Sequence, residues 1–285
     1  MTTIKKNQSD ALLSLLKDPD PDTFKAIADS LTLDIPALED LWRQADDETA
    51  LSRLDWLIQR VRFNKLEKGL MEWKEKKTGI LEGAWLVATY QYPELTFDEI
   101  DDAVAAITKD VWLELHSNMT PQEQIEAINR VLFGKYGIQG DLNLFPDFKN
   151  LLINDVLHFR KGCHIGLAIL YISIAQNLGI PVFSMPTLRV FSLAYTNEMP
   201  LGENVVFYID TFNKGEIFYD AGAAYYFEME EEPTFDGDNI LPCGDEVTIL
   251  FLIVLLMELF EGKGMIDKAE DMGKLIKIFK GIIIP

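Results

Sequence analysis

Gly162, Cys163 and His164 stand together immediately before an apolar run, Ile165 to Leu170. A thiol at a helix N-terminus feels the positive end of the peptide dipole, which favours the thiolate. With an imidazole in reach to move the proton, and a carboxylate to orient that imidazole, the set would carry out acyl transfer or amide hydrolysis. The chain limits this chemistry. It holds 3 histidines, His116, His158 and His164, and none lies beyond the helix start. His164 adjoins Cys163, and neighbouring helical side chains diverge. His158 precedes the helix and would have to fold back. Two readings of Cys163 therefore stand: a nucleophile with a recruited imidazole, or a small buried residue packing with Leu167, Leu170 and Ile174. Asp210 reads as a turn residue bonding the backbone near Asn213. Adjacent residues rarely share one zinc, so Cys163, His164 and Asp210 are not expected to hold a metal. No cofactor motif is present. Asp236 and Asp238, in the acidic loop 228–238, form too short a series for a calcium loop.

The elements that must position these residues follow from periodicity and punctuation. Apolar residues recur at helical spacing through 11–17, 24–31, 38–42 and 51–61, separated by turn signals such as Asp18-Pro19-Asp20-Pro21. Short one-sided helices of this kind resemble a pair of stacked HEAT-type units, with Trp42 and Trp56 as core anchors. Thr96 with Glu99, and Thr120-Pro121 with Glu123, predict capping boxes that open helices at Phe97 and Pro121. Residues 151–157 read as a short helix. A helix over 162–178 ends at Gly179, with Pro181 beyond. Four short runs follow, at 182–185, 189–195, 205–209 and 216–219. They are rich in β-branched and aromatic residues and predict an antiparallel sheet on the preceding helix, with a tight turn at Asn213-Lys214-Gly215. Two helices, 246–260 and 265–280, make the tail and resemble one tetratricopeptide unit. The expected fold class is α+β and mainly helical, with segments 1–75, 80–228 and 245–285.

The formal charge is −20. It disfavours nucleic-acid backbones and anionic membrane surfaces and suits a basic partner. The apolar run Val247–Met257 is about 11 residues, against the ~20 that span a bilayer. The polar N-terminus lacks a signal-peptide core, and 2 cysteines make no disulfide framework, so a reducing cytoplasm is expected.

Several motifs in order carry a family resemblance. Asn129-Arg130-Val131-Leu132-Phe133, Tyr136-Gly137-Ile138-Gln139-Gly140, Asn150-Leu151-Leu152-Ile153 and Arg160-Lys161-Gly162 come first. Gly166 to Tyr171, Leu178 to Val182 and Tyr208-Ile209-Asp210-Thr211-Phe212-Asn213 follow. Together they resemble the bacterial transglutaminase-like proteins of the invasion-regulator branch, over roughly residues 80 to 280. The resemblance implies a papain-like core with a Cys–His–Asp triad drawn from a helix and two strands. Anchored on Gly162 and Gly166, the nucleophile position falls on His164, and Cys163 stands one place early. A one-residue slip on a helix turns a side chain by ~100°. The triad histidine would stand near Leu188, where the chain has none. Asp210 is where the pattern places the carboxylate. The expectation is a non-catalytic, degenerate site in a scaffold or regulatory module that binds a protein or peptide. The alternatives are a thiol peptidase, amidase or acyltransferase using Cys163, and a vestigial cleft that binds a small molecule.

Overall fold

The computed structural model describes residues 6–30, 34–142, 147–186, 191–197, 204–219 and 242–281. Leu188 and the acidic loop 228–238 lie outside them. The chain divides into two compact units, 1–69 and 70–285.

The first unit holds α1 (Lys6–Leu16), α2 (Pro21–Ser30), α3 (Ile35–Gln44) and the first part of α4 (Glu48–Lys76). Asp34 caps α3 by accepting from the Ala37 N–H, with Pro36 in the first turn, where its missing donor costs nothing. Leu16, Leu38, Leu41, Leu54 and Leu57 form the core of this unit. Two expectations fail here. Helix α4 runs unbroken for 29 residues: it contains no Pro and passes through Gly69 without a break. Trp42 and Trp56 are not core anchors. Both are exposed, because the buried stripes run through Leu38 and Leu41 on α3 and through Ala50, Leu54 and Leu57 on α4. Trp56 instead meets the edge of Phe24.

The second unit is α+β. Its helices are α5 (Ile80–Gln91), α6 (Phe97–Trp112), α7 (Pro121–Asn129), α8 (Phe148–Leu151), α9 (Ile153–Phe159), α10 (His164–Asn177), α11 (Asp245–Gly262) and α12 (Ile266–Leu275). Both capping boxes form: Thr96 and Glu99 bond each other's backbone N–H at the start of α6, and Thr120 and Glu123 do so at α7. Helix α7 continues as a π-helical turn, Arg130–Lys135, whose wider winding is marked by the bond from Tyr136 N–H to the Val131 carbonyl. The expected helix over 151–157 is two pieces, because Leu152 is extended and breaks it. The tail tightens into a 3-10 turn, Ile276–Phe279, after α12.

The centre is α10. Ile165 through Ala175 are all buried, packed against α5 and α6 on one side and the sheet on the other. It ends in a complete Schellman motif: Ile180 N–H bonds the Ala175 carbonyl, Gly179 N–H bonds the Gln176 carbonyl, and Gly179 has φ +67°. The sheet is antiparallel in the order β3 (Val182–Pro186), β4 (Phe191–Thr196), β5 (Val205–Asp210), β6 (Glu216–Phe218). Its register pairs Ser184 with Leu193, Leu193 with Ile209, and Ile209 with Ile217. A separate two-stranded parallel pair joins β1 (Gln139–Gly140) to β2 (Lys161–Gly162). Beyond the sheet, Cys243 N–H bonds the Ser184 carbonyl, and the buried Ser184 and Thr248 hydroxyls meet at 2.7 Å. Among the described residues no helix is long and apolar enough to cross a membrane.

A Cβ at Gly166 would stand 2.6 Å from the Asn150 carbonyl oxygen, whereas one at Gly134 meets nothing within 4 Å. Gly166→Ala is expected to lower unfolding free energy by about 1–3 kcal/mol, since backbone must give way. Gly134→Ala should leave it unchanged or raise it by less than about 1 kcal/mol. Denaturant unfolding of the two variants checks the contrast.

Candidate functional site

The site begins where α9 ends. Arg160, in the left-handed region at φ +56°, reverses the chain into β2 and delivers it to Cys163. Cys163 is the residue preceding α10, with extended backbone (φ −74°, ψ 173°), and its N–H bonds the Asn150 carbonyl at 2.7 Å. Cys163 and His164 therefore diverge because one lies outside the helix and the other opens it, not by a turn along the helix.

Burial pushes the Cys163 thiol up to about 11, and the Asp141 carboxylate adds to the rise. The N–H groups of Gly166 and Ile165 pull the other way and lose. Their pull is that of backbone hydrogen bonding to the sulfur, to which the Cys163 N–H adds, and burial outweighs it. Asp141 is held in place by its neighbours. Its N–H bonds the Gly162 carbonyl, and its Oδ2 accepts from the buried Asn150 side chain at 3.0 Å.

His164 lays its ring flat on Phe212, with centroids 4.2 Å apart and planes 8° apart. Phe212 also lies close beneath β1: a Cβ at Gly140 would stand 2.9 Å from its ring and its carbonyl oxygen. Loss of hydration lowers the His164 pKa, and the Asp210 carboxylate opposes this without reversing it. The imidazole is thus neutral at neutral pH.

Asp210, at the end of β5, is buried and already engaged. Oδ1 accepts from the N–H groups of Phe212 and Asn213, and Oδ2 accepts from the Asn213 amide at 2.7 Å. Its carbonyl takes the Gly215 N–H, which closes the turn through Lys214 and Gly215, both at positive φ. The next residue, Thr211, is 1% exposed, and its hydroxyl has no hydrogen-bond partner among the described residues.

The fold therefore gathers Cys163, His164 and Asp210 around one corner, but not as a relay. Among the described residues no imidazole hydrogen-bonds the Cys163 thiol. His158 lies on α9, edge-on to Phe159 and near the Asp155 carboxylate. His116 is exposed in the turn after α6. Leu188 lies outside the described residues. Among them no cluster of three or more His, Cys, Asp or Glu could hold a metal ion.

Sequence reasoning did not find the residue that ties the corner together. Asn129, the last residue of α7, donates to the Gly215 carbonyl at 2.7 Å and accepts from the Tyr171 hydroxyl at 2.9 Å. It thereby joins α7, α10 and the β5–β6 turn. Gly215 is obligatory there: its φ is +75°, and a Cβ would fall 2.0 Å from Asn129 Oδ1. The available signal was a polar Asn set among Ile125, Ile128, Val131 and Leu132.

Comparison with known proteins agrees with this architecture. The chain contains a transglutaminase-like domain: residues 98–239, from α6 through the whole sheet, match the family described as Transglutaminase-like superfamily. A UPF0162 protein of Vibrio cholerae is 29% identical over 140 residues, covering 48% of this chain and 49% of that protein. A UPF0162 protein of Xylella fastidiosa is 28% identical over 136 residues, covering 48% of this chain and 47% of that protein. F-box only protein 21 of Mus musculus is 25% identical over 188 residues, covering 57% of this chain and 30% of that protein. The chain spans about half the length of the UPF0162 relatives it matches. No solved structure matches it significantly.

Tyr171→Phe removes the donor to half-buried Asn129 from the fully buried Tyr171 site and is expected to cost about 0.5–2 kcal/mol. In a double-mutant cycle with Asn129→Ala, measured by denaturant unfolding, the two losses should fail to add. The thiols predict an alkaline signature. Cys163 and Cys243 are each raised from 9.0 to about 11, so the unfolded chain ionises first and stability falls as pH rises from 9 toward 11. Tyr92, raised to about 12, and Tyr171, also raised, add to the fall above 10. Cys163→Ser should roughly halve the slope of the 9–11 part of a stability–pH curve, leaving the Cys243 share.

Proposed function

We propose that this transglutaminase-like domain is non-catalytic and serves as a scaffold or regulatory module that binds a protein or peptide. The carrying observation is the state of the Cys163 thiol. With the thiol at about 11, the thiolate fraction at pH 7 is about one in ten thousand. A nucleophile for acyl transfer requires the opposite shift. The other groups support the same reading. The His164 ring is stacked on Phe212, adjacent in sequence to the thiol but directed elsewhere. Both Asp210 carboxylate oxygens are engaged by the turn that follows. A triad aspartate must instead orient an imidazole. What remains of the site works as structure: it fixes the β5–β6 turn against α7 and α10. Two helical segments, one in the 1–69 unit and one formed by α11 and α12, precede and follow the domain in sequence and are the candidate binding surfaces. The compartment that suits an acidic chain with 2 cysteines is the cytoplasm.

The test is iodoacetamide labelling across pH, on Cys243→Ser protein with the Cys163→Ser/Cys243→Ser double variant as the blank. Labelling of Cys163 should be slower at pH 7 than that of a free thiol such as glutathione, and should rise through pH 9 without a plateau. A rate that is already saturated below pH 7 would overturn the proposal and restore the thiol-enzyme reading.

A further inference from the structure

Helix α6 has two faces with different fates. Ile100, Val104, Ile107 and Val111 are buried against the unit. The opposite face carries Asp98, Asp101 and Asp102 near its start, exposed Ala105 and Ala106 in its middle, and Trp112 and Leu113 at its end. Trp112 is 64% exposed and Leu113 65%. At 100° per residue these positions fall within one face, ~21 Å long from Asp98 to Trp112. A tryptophan and a leucine side by side in water lose stability that a partner would restore, and Trp is the residue that most often anchors interfaces. The alanines would let another backbone approach closely.

The charge on this face selects its occupant. Among the described residues Asp98, Asp101 and Asp102 make no ion pair, while the basic residues near the far end are engaged: Arg130 with Glu114 and Lys135 with Asp110. Lys109 is the single cation on the face. A second copy of the chain, at net charge −20, would set acid against acid. A polyanion would be repelled in the same way.

We infer that the exposed face of α6 is a docking surface for a basic amphipathic helix of a partner protein. The partner's apolar residues cover Trp112 and Leu113, and its Lys or Arg residues meet Asp98, Asp101 and Asp102. The inference rests on the protein-binding reading above but uses a different surface, so the two can fail separately.

The experiment is fluorescence anisotropy of the full chain with two labelled helical peptides about 16 residues long, enough to span the face. One has a leucine face and a lysine face; the other has glutamate in place of lysine. The lysine peptide should bind saturably, with affinity falling as salt rises, and the glutamate peptide should not bind. Trp112→Ala should weaken binding at least ~10-fold, as expected of an anchor. Asp101→Asn with Asp102→Asn should flatten the salt dependence. All these side chains are exposed, and far-UV circular dichroism confirms that each variant is folded. Absence of saturable binding overturns the inference, as does equal affinity in Trp112→Ala or equal binding of the glutamate peptide. Self-association that disappears in Trp112→Ala also overturns it, by assigning the face to a second copy. None of these outcomes alters the Cys163 labelling profile, which tests the catalytic question alone.

Discussion

Helix α10 has no wet face, and the rest of the 70–285 unit is arranged to cover it. From Ile165 to Ala175 every residue is buried, so the surface that other helices leave to solvent must here be matched by apolar neighbours on all sides. Helices α5 and α6 supply one wall, and β3 and β4 supply the other. The few polar groups on α10 are met internally or by single dedicated partners. The Ser173 hydroxyl bonds the Ile169 carbonyl one turn back, and the Tyr171 hydroxyl finds Asn129. An unpaired polar atom there would cost more than any one contact gains.

That burial also decides the chemistry of the corner. A helix N-terminus lowers a thiol pKa when water or a cation helps to stabilise the charge. Here the N-terminus of α10 is packed beneath α8, with the Asn150 carbonyl on the Cys163 N–H and the Asp141 carboxylate nearby. Desolvation, with a smaller push from the like charge, outweighs the backbone N–H groups that favour the thiolate. At the other side of the corner Asp210 organises a turn, and His164 rests on the Phe212 ring.

How much of this could be read from the sequence depends on how local each cause is. The starts of α6 and α7 were legible because a capping box is complete within four residues. The end of α10 was legible for the same reason at Gly179, and the strands because β-branched and aromatic runs alternate with turn signals. The break at Leu152 carries no Gly or Pro and could not be seen. The 29-residue length of α4 was missed because an expected stop was simply not there. The exposure of Trp42 and Trp56 was missed because residue type was weighed above position on the helix. The link from Asn129 to Gly215 joins residues 86 apart, and only the folded chain brings them together. The pKa of Cys163 is likewise a property of packing, invisible in the residues around it.

The bridge from Ser184 to Cys243 and Thr248 has a consequence for how the protein is made. The ribosome releases the chain N-terminus first, at roughly 5–20 residues per second. Helix α10 is therefore complete before α11 exists, yet α11 packs on α5 and β3 and anchors the edge of the sheet. For several seconds the nascent chain holds an apolar helix whose enclosure awaits later residues. During that interval the chain exposes apolar surface of the kind that makes folding intermediates prone to aggregate, and a truncated product ending before α11 would lack the helix that covers α5 and the β3 edge.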